Sequence, residues 1–180
     1  MRVLVLCSGF GSVDRAFERK GWEVTSVDWL PKFAPTLCVD IMQWDYQAAF
    51  PSDHFQFVWA SPACTHFSLA RTTGGPRDLE GATALVARCL AIAEYFGCDW
   101  CLENPATGLL RRQPLMQSLA WTDTCYCKYG FDYKKQTRLW HSRAFGEAFE
   151  PGPSAALRLP APPLPRTART PRRLSEAPPT

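Results

Sequence analysis

The spacing of hydrophobic and polar positions predicts alternating strands and helices over residues 1–150. Short apolar runs bounded by turns predict buried strands. These cover residues 3–7, 23–28, a short run leading into 39–40, 55–60 and 99–102, with further strands over 122–129 and 137–141. Apolar residues at helical spacing predict helices over 13–20, 79–96 and 113–119. Strands that alternate with helices favour an α/β fold, with a mostly parallel sheet and helices on both faces.

Residues 151–180 differ sharply in composition from the rest of the chain. They contain nine of the 16 prolines and five arginines against a single acid, Glu176, so this segment carries +4 while residues 1–150 carry −1. A segment of this composition has too little apolar surface to offset the conformational entropy that it would lose on ordering. We therefore predict one folded domain over 1–150 and a disordered Pro/Arg-rich tail over 151–180. The tail either has no specific role or is a basic arm with nonspecific affinity for phosphate.

The overall composition is typical of a globular domain, with 46% hydrophobic and 21% charged residues. The apolar start, residues 3–6, is too short for a signal peptide or a membrane span. We therefore expect an intracellular protein (cytoplasm, nucleus or a virus-infected host cell), with no membrane partner. In such a compartment the eight cysteines are expected to be free thiols, ligands or a nucleophile rather than disulfides. A zinc site is disfavoured, because Cys98 and Cys101 flank a predicted strand and point to different faces, and we predict no metal.

Distinctive residues follow each of the first three predicted strands, at the edge where ligands bind in this fold class. They are Ser8, Gly9, Phe10 and Gly11 after the first strand, Asp28 and Trp29 after the second, and Asp40 and Ile41 after the third. A glycine turn lets a ligand approach backbone amides at a helix start. An acid that ends the second strand can accept hydrogen bonds from ribose hydroxyls, and Trp29 can cover an adenine ring. The combination predicts an adenosine-containing cofactor.

The residues after the glycine turn distinguish between two such cofactors. A dinucleotide site expects a third glycine, but Val13 and Asp14 stand at that position, and an acid there would repel a diphosphate. S-adenosylmethionine has no phosphate and carries a sulfonium cation. The sequence therefore favours S-adenosylmethionine over a nicotinamide dinucleotide.

Two further motifs follow the fourth and fifth predicted strands. Residues 61–68 read Ser-Pro-Ala-Cys-Thr-His-Phe-Ser, with Cys64 at their centre, and residues 103–105 read Glu-Asn-Pro. With these motifs, residues 1–145 resemble the DNA cytosine-5 methyltransferase family, most of all its short viral and phage-type members. The resemblance implies a Rossmann-like S-adenosylmethionine-dependent methyltransferase fold, with residues 1–150 as the catalytic domain and DNA as the partner.

The chemistry of cytosine methylation requires the residue types found in these motifs. A thiolate that adds to carbon 6 makes carbon 5 nucleophilic, and an acid at ring nitrogen 3 assists the addition. Cys64 is the predicted nucleophile and Glu103 the predicted acid, while the resemblance implies that Asn104 and Pro105 orient Glu103 and the cysteine loop. The base must leave the duplex to be reached, and we expect the loop over 71–77 to close over the DNA. The predicted substrate contacts are Ser68, Arg71, Lys135 and Arg138.

The sequence also departs from the family pattern. Cys7 replaces a common aromatic residue, Ala63 replaces a frequent proline, and the usual Gln-x-Arg-x-Arg signature is absent. No segment after residue 145 reads as a target-recognition domain, so a separate subunit, low specificity or a truncated inactive paralogue are all open. The alternatives to a DNA methyltransferase are therefore a non-catalytic cofactor- or DNA-binding paralogue and an RNA cytosine-5 methyltransferase.

Overall fold

The computed structural model describes residues 1–129 and 132–142. The described part forms a seven-stranded sheet in the order β3-β2-β1-β4-β5-β7-β6. The strands are β1 (Arg2–Leu6), β2 (Glu23–Asp28), β3 (Leu37–Cys38), β4 (Phe57–Ala60), β5 (Asp99–Pro105), β6 (Ala120–Cys125) and β7 (Gln136–His141). The predicted tail over 151–180 and the end of the predicted domain, residues 143–150, lie outside the described residues.

The sheet is parallel from β3 to β5 and antiparallel at β7 and β6. The carboxyl ends of β1, β2, β4 and β5 therefore meet at one edge of the sheet. The strand β7 lies between β5 and β6 and runs against both, so its first residue, Gln136, and the end of β6 reach that same edge. This placement brings residues from six strands to the edge where ligands bind in open α/β sheets.

Helices cover both faces of the sheet. They are α1 (Ser12–Glu18), α2 (Tyr46–Ala49) and α3 (Leu79–Phe96). The side chain of Asp78 accepts the amide of Gly81 at the start of α3, and Gly97 ends that helix in the left-handed conformation, with φ 59°. The larger core cluster joins α2 and α3 to one face, and Val13 and Phe17 of α1 pack on Val3, Val5 and Phe57 on the other. The predicted fold class is confirmed.

Several predicted boundaries were wrong because pairing with a distant strand was not visible in local spacing. The pairing of β4 with β5 stops at Leu102, but β7 extends the ladder of β5 to Pro105. The predicted helix over 113–119 is instead one short 3-10 turn, Pro114–Met116, which follows another at Leu109–Arg112. The strand predicted over 122–129 ends at Cys125 and continues as a 3-10 turn.

The cysteines correct another expectation. Cys125 and Cys127 form a disulfide, because their Cα atoms lie 5.3 Å apart where β6 turns into the 3-10 segment. The prediction of free thiols was therefore wrong for this pair, and it holds for the six others, including Cys64. Across residues 1–129 and 132–142, no three His, Cys, Asp or Glu side chains gather as metal ligands. No described helix has the length and apolar character needed to cross a membrane.

Candidate active site

The glycine turn after β1 is tied to the end of β2 by one buried carboxylate. Gly9 and Gly11 adopt left-handed φ values of 54° and 66°, a conformation that glycine reaches at little cost. The Gly9 amide donates to Asp28 Oδ2 at 3.0 Å, and the Leu30 amide donates to Oδ1 at 3.0 Å. Asp28 is buried. Asp28 therefore holds two loops together at the edge of the sheet. Each of its oxygens already accepts one amide, so a ligand can use only the acceptor positions that are left on them.

Exposed aromatic rings flank this turn. Phe10 is 81% exposed and Trp29 is 68% exposed, and Phe10 packs edge-on against Phe33 with their ring centroids 4.8 Å apart. Large apolar side chains that are so exposed next to a glycine turn are typical of a ligand-binding surface, here one suited to a flat ring. The structure therefore brings the predicted residues Ser8, Gly9, Phe10, Gly11, Asp28 and Trp29 to one place.

The loop after β3 is held by an arginine that the sequence analysis did not single out. Arg88 on α3 donates from Nε to the Ile41 carbonyl at 2.9 Å and from Nη2 to the Trp44 carbonyl at 2.8 Å. Asp40 is exposed, and its Oδ1 accepts the Met42 amide at 2.9 Å. Ile41 is 4% exposed and packs in the larger core cluster. Asp40 is thus available to a ligand, whereas the side chain of Ile41 faces the interior.

Asp14 is a partly buried acid at the start of α1. Its Oδ1 is buried without a hydrogen-bond partner among the described residues. Burial raises the pKa of the Asp14 carboxyl, its backbone hydrogen bond offsets part of the rise, and repulsion from Glu18 adds to it. A negative group here disfavours a bound diphosphate, as the sequence argument expected.

The loop that carries Cys64 leaves the end of β4 and turns tightly. The Ser61 amide donates to the Leu6 carbonyl at 3.0 Å, which joins the loop to the end of β1. The amides of Phe67 and Ser68 both donate to the Cys64 carbonyl, at 3.0 and 2.8 Å. The thiol of Cys64 is half-buried. It is therefore neither enclosed in the core nor loose on the surface.

Alternation along β5 sends Glu103 and Asn104 to opposite faces of the sheet. Asn104 is 1% exposed and donates from Nδ2 to the Pro62 carbonyl at 2.9 Å, while its Oδ1 has no partner among the described residues. Further along, the Leu109 amide donates to the Phe67 carbonyl at 2.8 Å. These two hydrogen bonds fasten the Cys64 loop to the segment that carries Glu103.

Glu103 on β5 forms an ion pair with Lys135, the residue directly before β7. Lys135 Nζ lies 3.2 Å from Glu103 Oε1, and the two side chains are 40% and 13% exposed. The same ammonium lies 4.6 Å from the centre of the Tyr126 ring. Burial lowers the pKa of Lys135, but the Glu103 carboxylate and Tyr126 outweigh it, so the pKa is raised. Burial, with the Glu103 charge second, also raises the pKa of the Cys101 thiol.

The two arginines of the 71–77 loop donate to backbone carbonyls, Arg71 within that loop and Arg77 in the cysteine loop. Arg71 donates to the carbonyls of Thr73 and Gly75 at 3.2 and 2.9 Å, and Arg77 donates to those of His66 and Ser68 at 3.0 and 2.7 Å. His66 Nδ1 accepts the Asp78 amide at 2.8 Å. His66 is thus a loop residue, and a DNA contact by Arg71 or Ser68 stays a prediction.

A basic cavity opens at the same edge, beside the end of β5. Its volume is about 320 Å³, and its lining residues are Ala106, Thr107, Arg111, Asp123, Thr124, Cys125, Lys128, Gln136 and Arg138. Arg138 donates two hydrogen bonds of 2.7 Å to Asp123, and its guanidinium carbon lies 3.6 Å from the centre of the Trp121 ring. Because one acid faces three cations, the lining carries a net positive charge. Arg111 and Lys128 were not identified from sequence, since neither belongs to a motif.

The chain is similar to known proteins in sequence and in fold. The chain is 34% identical over 154 residues to the "Probable DNA (cytosine-5)-methyltransferase" of Frog virus 3 (isolate Goorha), and the match covers 78% of this chain and 70% of the viral protein. No protein-family model matches the chain. Two similar solved structures are a prophage-encoded E. coli protein described as a DNA modification methyltransferase (TM-score 0.58, 14% identity) and the S. pombe Dnmt2 methyltransferase (TM-score 0.57, 14% identity).

Each solved structure aligns with 78% of this chain, which spans 46% and 50% of their respective lengths. The strand order and these structures define the Rossmann-like fold of the S-adenosylmethionine-dependent methyltransferases. Through its identity to the viral protein, the chain belongs to the DNA (cytosine-5)-methyltransferase family.

Proposed function

We propose that this chain transfers a methyl group to carbon 5 of a flipped cytosine in DNA, with Cys64 as the nucleophile and Glu103 as the acid. The observation that carries the proposal is the pair of hydrogen bonds, Asn104 to Pro62 and Leu109 to Phe67, that fastens the Cys64 loop to the Glu103 segment. A thiol and a carboxyl group that act on one pyrimidine ring must keep a constant separation. A buried tether between their two segments provides that constraint.

The residues of this chain would act in a definite order. The thiolate of Cys64 bonds to carbon 6 of the cytosine, and Glu103 holds a proton at ring nitrogen 3 so that negative charge does not build up on the ring. Asn104 and Pro105 keep the cysteine loop and the acid in register. After methyl transfer, loss of the carbon 5 proton expels Cys64 and regenerates the free enzyme.

The cofactor edge fits S-adenosylmethionine. Asp28 and Asp40 offer acceptors, Gly9 and Gly11 leave the turn open, and Trp29 presents an exposed ring. When bound, S-adenosylmethionine supplies the electrophilic methyl group.

DNA as the partner is supported by the basic cavity next to Pro105. Arg111 and Lys128 form no ion pair with another described residue and line the cavity together with hydroxyl and amide donors, a combination suited to backbone phosphates. A separate target-recognition subunit remains a prediction.

The salt dependence of DNA binding tests this role of the cavity. Lys128→Met should weaken binding to a duplex and reduce the slope of log K against log salt by about 0.9. Lys20→Met, an exposed lysine after α1 at the other end of the sheet, should leave the slope unchanged. Equal slopes for the two variants would mean that Lys128 does not contact phosphate, and would contradict the proposal that the cavity binds DNA.

A mechanism-based trap tests the reaction. Incubation with S-adenosylmethionine and duplex DNA that contains 5-fluorocytosine should yield a stable protein–DNA adduct, because fluorine cannot leave as a proton. Cys64→Ala should abolish the adduct, whereas Cys98→Ala, another half-buried thiol that lies at the opposite edge, should retain it. No adduct from a folded wild-type protein, or an adduct with the matched RNA alone, would overturn the proposal.

A further inference from the structure

The ion pair between Lys135 and Glu103 creates a chemical conflict at the proposed active site. The Lys135 ammonium lies 3.2 Å from Glu103 Oε1, so the two side chains form an ion pair. The acid that assists addition to cytosine must nevertheless deliver a proton. In the resting pair the mobile proton resides on Lys135, not on the residue that faces the base.

We propose that Lys135 is a positioning residue that acts through Glu103 as its proton reservoir, an inference that rests on the proposed function. As the S–C6 bond forms and the C5=C6 π bond breaks, Nζ gives a proton to the carboxylate and the carboxyl group gives a proton to ring nitrogen 3. The thiolate and the ammonium are thereby both neutralised. On elimination the S–C6 bond breaks, and the proton returns from the ring to Lys135 by the same route.

The surroundings of the pair favour this exchange once a base is bound. Lys135 is 40% exposed and Glu103 is 13% exposed, so a ring stacked over them would remove most of the remaining water. Burial penalises two opposite charges far more than the neutral amine and acid. A flipped cytosine would therefore itself promote transfer of the proton from Lys135 to Glu103.

Within the part of the chain that the structure describes, two other titratable groups face the pair. The Tyr126 ring lies beside the ammonium group, on the 3-10 turn after β6. The Cys101 thiol lies one alternation earlier on β5 and interacts with the Glu103 charge. Burial, with the Glu103 charge second, raises the pKa of the Cys101 thiol, so this thiol stays neutral in the working pH range. Lys135 and Glu103 form the ion pair of this set.

Lys135→Arg separates proton transfer from simple positioning. Arginine keeps the positive charge and the donors but does not give up a proton in proteins. The readout is exchange of the cytosine C5 hydrogen with solvent deuterium on duplex DNA, which requires addition by Cys64 and needs no cofactor. We expect Lys135→Arg to slow exchange by about 10²-fold at neutral pH, with DNA affinity within about threefold of wild type.

The pH profile provides a second signature. Wild-type exchange should be bell-shaped, because rising pH forms the thiolate and then empties the Lys135–Glu103 pair of its proton. In Lys135→Met, Glu103 must take its proton from water, so the limb of the profile that falls with rising pH should move to lower pH. The exposed neighbour Lys134 gives the matched control, and Lys134→Met should follow the wild-type profile.

Each outcome is decisive. Lys135→Arg with a wild-type rate and profile overturns the inference and leaves Lys135 as a tether, while the Cys64 reaction stands. Wild-type protein that shows neither exchange nor a 5-fluorocytosine adduct overturns the proposed function, and the inference falls with it. If Lys135→Arg unfolds in a thermal melt, the pH profile of Lys135→Met carries the same test, and a wild-type profile in that variant overturns the inference.

Discussion

The hydrogen bond from Asn104 to the Pro62 carbonyl should matter far more to reactivity than to stability. In Asn104→Ala, the Pro62 carbonyl loses a buried partner, which costs about 1–3 kcal/mol. The same change removes Oδ1, which is buried without a partner among the described residues, and relieves a penalty of about 1–3 kcal/mol. The small cavity left behind costs about 1 kcal/mol. The free energy of unfolding should therefore fall by only about 1 kcal/mol, a shift in Tm of roughly 3 °C.

The effect on the reaction should be much larger. Without this tether, the Cys64 loop loses one of its two links to the Glu103 segment, and a misplacement of about 1 Å at a reacting atom can cost about 10²-fold in rate. The assay is the rate of adduct formation with 5-fluorocytosine DNA, with chemical denaturation measured on the same preparation. Asn104→Ala should thus combine near-normal stability with an adduct rate reduced by about 10²-fold.

Thr137→Val provides the matched control on the neighbouring strand. Thr137 is 1% exposed, and its hydroxyl likewise has no partner in the part of the chain that the structure describes. Its hydroxyl therefore donates no hydrogen bond to the cysteine loop, so a shape-conserving change should leave the adduct rate unchanged and stability equal or higher. A wild-type adduct rate in Asn104→Ala would refute the tether argument.

Two further predictions concern the cofactor edge. Arg88→Met removes both hydrogen bonds to the 41–44 loop, so the free energy of unfolding should fall by about 2 kcal/mol. The affinity for S-adenosylmethionine, measured by calorimetry, should fall too. Glu94→Gln on the same helix should change neither quantity. Because the pKa of Asp14 is higher in the folded chain than the ordinary aspartate value of 3.8, stability should decrease as pH rises from 3.8 through the folded pKa. Asp14→Asn should lose that decrease in urea unfolding measured across this range, and an unchanged pH dependence would contradict the burial argument.

The sequence by itself determined the elements whose signals are local. The strand over 23–28 and the helix over 79–96 match the structure in both bounds, because apolar spacing, an aspartate cap and a following glycine act within a few residues. The strand-end residues of the cofactor and cysteine loops were likewise predicted, since parallel strands place their carboxyl ends at one edge. Whether those residues perform the proposed roles stays a prediction.

Only the tertiary structure decided how the distal strands are used. Alternation marks a strand but not its partner or direction, so nothing local revealed that β7 inserts antiparallel between β5 and β6. That insertion extends β5 through Glu103 and brings Lys135 to it across 32 residues of sequence. It also brings β6 and β7 to the edge that the basic cavity shares with Pro105 and Ala106. These contacts depend on long-range pairing and burial, which spacing along the chain does not encode.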